Sequence, residues 1–334
     1  MNQQPEYQPP EPTLPPIDYR RARRRLAVPA FAIAFVFLFT SLIQGILVSL
    51  VATFCPQIMD YDWYIWVMSM VPLYAAAMPL SLLFYKLEPV QQKPAQRSLP
   101  FPLLLGLFAL CFALTYLGNF LGQLVNNIIG SITGNQPVNE LQELTMSSPL
   151  WTNLLFCGIL APIMEEIFYR KVVIDRLRTL GELPTVLISG VVFGLIHGNF
   201  NQFFYTAFIG VLFGYIYIYT GKLRYTIALH MCFNMVGGVY STEMLKRMDL
   251  ERLATDPYPE VIQNFGAYAM MLAYYVFIFA AIVGAIITVI YLVHLRPRLQ
   301  KTERPLRPAE WARVGLLNPG VWMLTIVIVM LFLL

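Results

Sequence analysis

The sequence predicts an all-α polytopic membrane protein, with about eight to nine transmembrane helices and a cytoplasmic N-terminus. Three observations carry this expectation. Of 334 residues, 57% are hydrophobic and 13% charged, and the mean hydropathy is +0.60, more apolar surface than a soluble core absorbs. The apolar residues gather in runs, most of them close to the ~20 residues that cross a bilayer. The basic residues cluster between those runs. Soluble enzyme folds are thereby excluded. So is a nucleic-acid-binding domain, because the net charge is only +4 and its clusters read as topology signals.

Taken in order, residues 1–26 read as a disordered Pro-rich and basic cytoplasmic tail. Met1 to Pro16 holds six prolines and no Lys or Arg, a composition that builds no core. The next apolar run, 27–54, is 28 residues long, too long for a signal-peptide core, and is expected to be a retained first span. With runs at 63–85 and 101–125 it makes an N-terminal transmembrane region, 27–149. A core segment, 150–242, contributes runs at 150–174, 184–197, 203–220 and 225–242. Residues 243–334 supply a loop and C-terminal spans at 267–293 and 317–334. With the N-terminus inside, 20 of the 23 Lys and Arg fall on one side, and only Lys246, Arg247 and Arg252 on the other.

The fifth run is short, since 14 residues rise ~21 Å against a hydrocarbon core of ~30 Å. The polar Gly198 to Gln202 stretch behind it is tolerated at membrane depth only if buried in protein or lining a wet cavity, so a cavity is expected there. Gly190, Gly194 and Gly198 recur every four residues, a ridge that lets a neighbouring helix approach, and Gly210 and Gly214 repeat the device. The four cysteines stand singly without CxxC spacing, which argues against a zinc knuckle or a disulfide framework.

Ionisable side chains within membrane runs are costly and tend to face functional cavities. This chain has few of them. Glu165 and Glu166 lie in the fourth run, His197 closes the fifth, and His230 lies in the seventh. His294 sits beside Arg296 at a boundary and is expected to be interfacial. On a helix Glu166 shares a face with Arg170 and can pair with it, whereas Glu165 points ~100° away. His230 and Asn234 are likewise four apart, on one face. A carboxylate, two imidazoles and an amide match the needs of water-mediated hydrolysis: a base assisted by His, and donors for a developing oxyanion. A serine mechanism lacks support because Ser189 has no GxSxG setting, and no GxGxxG or phosphate loop is present.

At these residues the sequence resembles the CPBP intramembrane proteases, which comprise type II CaaX prenyl endopeptidases and bacteriocin-processing or abortive-infection relatives. The family pattern EExxxR, FxxxH, HxxxN stands here in order as Glu165-Glu166-x-x-x-Arg170, Phe193-x-x-x-His197 and His230-x-x-x-Asn234. The resemblance covers roughly Leu150 to Gly238. It implies an intramembrane endopeptidase acting on a membrane-associated peptide or protein, prenylated or not, within the lipid bilayer of the cell membrane. By it, Glu165 is the catalytic carboxylate, His197 helps to polarise the water, and His230 with Asn234 forms the oxyanion site. Glu166 and Arg170 support the structure. No cofactor is expected, because the motifs lack a recognisable zinc-ligand spacing; a zinc ion, if bound, would sit on Glu165, His197 and His230. Two competing readings are a non-catalytic immunity or scaffold protein of the same fold and an ion-coupled transporter. The transporter is disfavoured because no second polar cluster in a matching half is present. Oligomeric state is not encoded in any feature of the sequence.

Overall fold

A computed structural model describes residues 16–90, 96–295, 297, 299, 302 and 304–333. The Pro-rich stretch of the expected tail, up to residue 15, lies outside them. Among the described residues all regular structure is helical. The main helices are α1 (Tyr19–Phe54), α2 (Tyr64–Leu87), α3 (Phe101–Thr133), α4 (Glu140–Ser147), α5 (Leu150–Leu180), α6 (Glu182–Leu195), α7 (Phe200–Thr220), α8 (223–245), α9 (Phe265–Leu295), α10 (Pro308–Leu316) and α11 (Pro319–Leu333). The protein is a multi-pass membrane protein.

One expectation needs correction. The basic residues Arg20 to Arg25, placed in a disordered tail, are the first turns of α1, which starts where Asp18 accepts a hydrogen bond from the Arg21 N–H at 3.0 Å. A side-chain acceptor at this position satisfies a backbone donor that the first turn leaves without a partner. The eight to nine expected spans compare with six or seven candidates by length and composition among the described residues. Six helices, α1, α2, α3, α5, α7 and α9, are long and apolar enough to cross a membrane, and α10 with α11, bent by 76°, makes at most a seventh. All nine apolar runs are helical, but α6 has only 14 residues, and α8 gives positions to His230, Asn234, Ser241 and Thr242, which line a cavity.

The apolar core has two large clusters and a small third one around Ile174, Val186, Tyr217 and Ile218. One large cluster joins the first half of α1 to α2, α5 and α11; the other joins α3, α7, α8 and α9. The outer half of α1 leaves Leu42, Ile46, Leu50 and Phe54 exposed, as a lipid-facing helix does. The glycine ridge acts as expected. A Cβ on Gly190 would lie 2.6 Å from the Val211 backbone nitrogen, and one on Gly194 would lie 2.7 Å from the Phe203 carbonyl. Side chains there would force α6 and α7 apart. Gly198, with φ +69°, turns the chain out of α6, a backbone conformation that costs glycine nothing. Asn199 then caps α7 by accepting from the Gln202 N–H at 2.9 Å.

The two ends of the bundle differ. At one end the start of α1, the α2–α3 connection and the α5–α6 and α7–α8 turns meet. Arg25 bonds Glu88 at 3.2 Å and Thr179 at 2.7 Å, the Arg97 N–H donates to the Thr220 carbonyl at 2.8 Å, and Lys222 donates to Ser98 at 2.7 Å. At the other end α4, the start of α5, the start of α7 and the end of α8 meet. There Asn153 donates to the Thr145 carbonyl at 2.9 Å, Asn201 to the Val138 carbonyl at 3.2 Å, and Lys246 to the Ser148 carbonyl at 2.5 Å.

Candidate active site

The polar groups of the core segment sit where helices widen. Wide π-helical turns occur at 71–77 of α2, at 153–160 and 166–174 of α5, and at 235–240 of α8. Proline explains part of this. Pro72 and Pro162 lack an N–H, so the ordinary i→i−4 ladder is interrupted around them. Such widenings recur at functional sites because they re-aim side chains out of the regular 100° step.

A cavity of about 680 Å³ lies between the two large apolar clusters, and Glu165, His197, His230 and Asn234 all line it. The four candidate residues from three separate runs therefore come together. Glu165 is 18% exposed at its side chain, with the Tyr74 hydroxyl donating to one carboxylate oxygen at 3.1 Å and His230 Nε2 standing 3.9 Å from the other. Glu166 is fully buried. Arg170 Nε donates to it at 3.1 Å, and the same guanidinium reaches Ser189 Oγ at 3.3 Å and lies 4.8 Å over the Phe193 ring. The expected pairing of Glu166 with Arg170 is present. Ser189 sits at its periphery as a hydrogen-bonding partner of Arg170.

One contact adds to the expected picture. His230 Nδ1 lies 3.2 Å from Glu166 Oε1. A carboxylate paired with arginine only accepts, so Nδ1 carries the proton and donates. Glu166 thus ties Arg170 to His230, and Nε2 is left facing Glu165. His197 is oriented by the same logic. Its Nδ1 stands 2.7 Å from the Phe193 carbonyl, which can only accept, so neutral His197 presents a bare Nε2. The Asn199 side chain donates to the His197 carbonyl at 2.8 Å and steadies that turn. Phe193 touches both imidazoles, with ring centroids 5.2 Å from His197 and 6.2 Å from His230. His197, at the end of the short α6, and His230 line the same cavity. Asn234 Nδ2 donates to the Cys157 carbonyl at 2.8 Å, which occupies one of its two amide protons.

Tyr74 is the residue that sequence reasoning missed. It lies 91 positions before Glu165 in the chain, and a tyrosine in an apolar run looks like any other packing residue; Pro72 beside it was the only local sign. Among the described residues no three His, Cys, Asp or Glu side chains are grouped so as to hold a metal ion. Glu165 faces His230 Nε2 at 3.9 Å, while Glu166 is committed to Arg170 and to the other side of His230.

Comparison with known families reaches the same stretch. The family model described as type II CAAX prenyl endopeptidase Rce1-like matches residues 147–236. The membrane-embedded CAAX protease MroQ of Staphylococcus aureus (strain USA300) is 28% identical over 88 residues, covering 24% of this chain and 36% of that protein. The chain thus spans little more than a third of that relative. No solved structure matches. The EExxxR, FxxxH and HxxxN residues all fall inside the matched stretch, and over residues 147–236 the chain is similar to that family.

Proposed function

We propose that this protein is an intramembrane endopeptidase in which Glu165 activates water to hydrolyse a peptide bond of a membrane-associated polypeptide. The observation that supports this most directly is the division of labour between two adjacent carboxylates. Glu166 is sealed against Arg170 and His230, whereas Glu165 faces a cavity with a phenol at 3.1 Å and an imidazole nitrogen at 3.9 Å. A carboxylate held only by one phenol keeps lone pairs to accept a proton from water.

In this reading water enters between Glu165 and the Nε2 atoms of His197 and His230. Its oxygen attacks the scissile carbonyl and its proton passes to Glu165. The developing oxyanion takes the second amide proton of Asn234. His230 can add an Nε2–H to it only when doubly protonated, because its Nδ1–H is given to Glu166. Such donors stabilise charge that appears only in the transition state. Glu165 then hands its proton to the departing amine, the C–N bond breaks, and the site returns to its starting state. No step in this scheme runs through a metal ion. Glu166 and Arg170 act as positioning residues for His230.

The test is cleavage of peptide and membrane-protein libraries by the purified full chain, comparing wild type with Glu165→Gln in the presence and absence of a strong chelator. Turnover that vanishes in Glu165→Gln and survives chelation supports the reading. Turnover that chelator removes and zinc alone restores would replace the water-activation scheme with a metal centre on Glu165, His197 and His230. Absence of turnover in wild type would leave the non-catalytic scaffold.

A further inference from the structure

The cavity has a direction. Its lining includes the buried Tyr169, Ile209 and His230 and also Glu140, Leu141, Gln142 and Leu245, of which 140–142 are exposed. Those last residues belong to the end of the bundle where α4, the start of α7 and the end of α8 meet. The cavity therefore opens at the end opposite the one tied by Arg25, Arg97 and Lys222. The connections at the opening end, 55–63, 134–149 and 241–264, hold nine carboxylates against three basic residues, Lys246, Arg247 and Arg252. Lys and Arg accumulate on the cytoplasmic side of short connections, so the mouth belongs to the other face.

The mouth has a chemistry of its own. Eight carboxamides line the cavity, and Glu140 lies exposed at its rim. Gln202 is only 6% exposed and lines the cavity with no side-chain hydrogen bond to the described residues, and Asn119 lines it as an exposed residue. An amide that faces a cavity in this way gains from a polar occupant. A carboxamide offers a donor and an acceptor side by side, the same pair that one residue of an extended peptide backbone presents. The net negative rim meets cations first.

We propose that the cavity receives an extended polypeptide segment carrying basic residues, which enters from the non-cytoplasmic face past Glu140 and is held through its backbone by Gln202 and Asn119. The proposal rests on the hydrolase reading for the fate of that segment, but not for its binding. The probes are short peptide libraries identical except for flanking lysines or flanking aspartates, each also made with a benzophenone label. Binding is read by photo-crosslinking to full-length Glu165→Gln protein in right-side-out and in inverted membrane vesicles, and turnover by wild type in detergent.

Crosslinking of the lysine library in right-side-out vesicles, five- to tenfold above the aspartate library at low salt and converging at high salt, is the expected result. Glu140→Lys should reverse the charge preference, and Gln202→Leu should weaken capture of both libraries about tenfold. Equal capture of the two libraries, or capture confined to inverted vesicles, would overturn the proposal. Capture without turnover in detergent would overturn the hydrolase reading and leave the binding inference standing.

Discussion

Glu165 and Glu166 are neighbours in sequence and opposites in environment. The region around Glu166 is a closed network of Arg170, His230 and Ser189, with the carboxylate and the guanidinium fully buried. The region around Glu165 is open to a cavity, and among the described residues Tyr74 makes its only close hydrogen bond. A buried ion pair is costly to break, because removing one partner leaves an uncompensated charge. A carboxylate lining a wet cavity can lose its charge with little penalty. The difference teaches that two acidic residues one step apart on a helix can divide into a structural and a reactive role through the face each presents.

The comparison can be broken most sharply at Glu165. Glu165→Gln is nearly isosteric and should lower kcat/KM by about 10²–10⁴, the usual contribution of a general base, while thermal unfolding in detergent stays within about 1 kcal/mol of wild type. If unfolding shifts as much as activity, the two regions are one structural unit.

Arg170→Ala should act in the other direction. It strands Glu166 beside His230 and should cost about 3–5 kcal/mol of stability, read as reduced folded yield and a lower Tm. Replacing the pair together, Glu166→Gln with Arg170→Met, should be milder than Arg170→Ala alone, because no charge is then left unpaired. A double variant worse than the single one would show that the network holds more than these charges.

Gly190→Ala tests how closed the sealed region is. The new methyl would meet α7 backbone at less than 3.0 Å, so α6, which carries Ser189, must shift, at a cost of about 1–3 kcal/mol. Gly45→Ala, where a Cβ meets nothing within 4 Å, should leave stability unchanged or raise it slightly. Both are measured by the same detergent unfolding series.

Tyr74→Phe should have the smallest effect. It removes the one hydrogen-bond donor to Glu165 seen among the described residues and should reduce kcat/KM about tenfold, equivalent to ~1.4 kcal/mol, with folded yield unchanged. A change only in KM would assign Tyr74 to substrate contact instead.

Much of this was legible in the sequence, for a reason that concerns distance along the chain. The Glu166–Arg170 pair and the shared face of His230 and Asn234 follow from helical spacing, which is local, and the glycine ridge of α6 follows from the same periodicity. Hydropathy marked nine helical runs. Six or seven of them pass as spans on length and composition, because α6 is short and α8 places polar side chains on the cavity.

Sequence alone determined the membrane class, the helical runs, the ordered motif set and the opposition of two faces of one helix. Tertiary structure alone decided which groups meet across the bundle: His230 on Glu166 and on Phe193, Tyr74 on Glu165, and the carboxamides around one mouth. These partners lie far apart in the chain, 64 residues for His230 and Glu166 and 91 for Tyr74 and Glu165. Their approach depends on where helices widen, end and cross. Periodicity reports which way a side chain points from its own helix axis, and only packing sets which axis stands opposite.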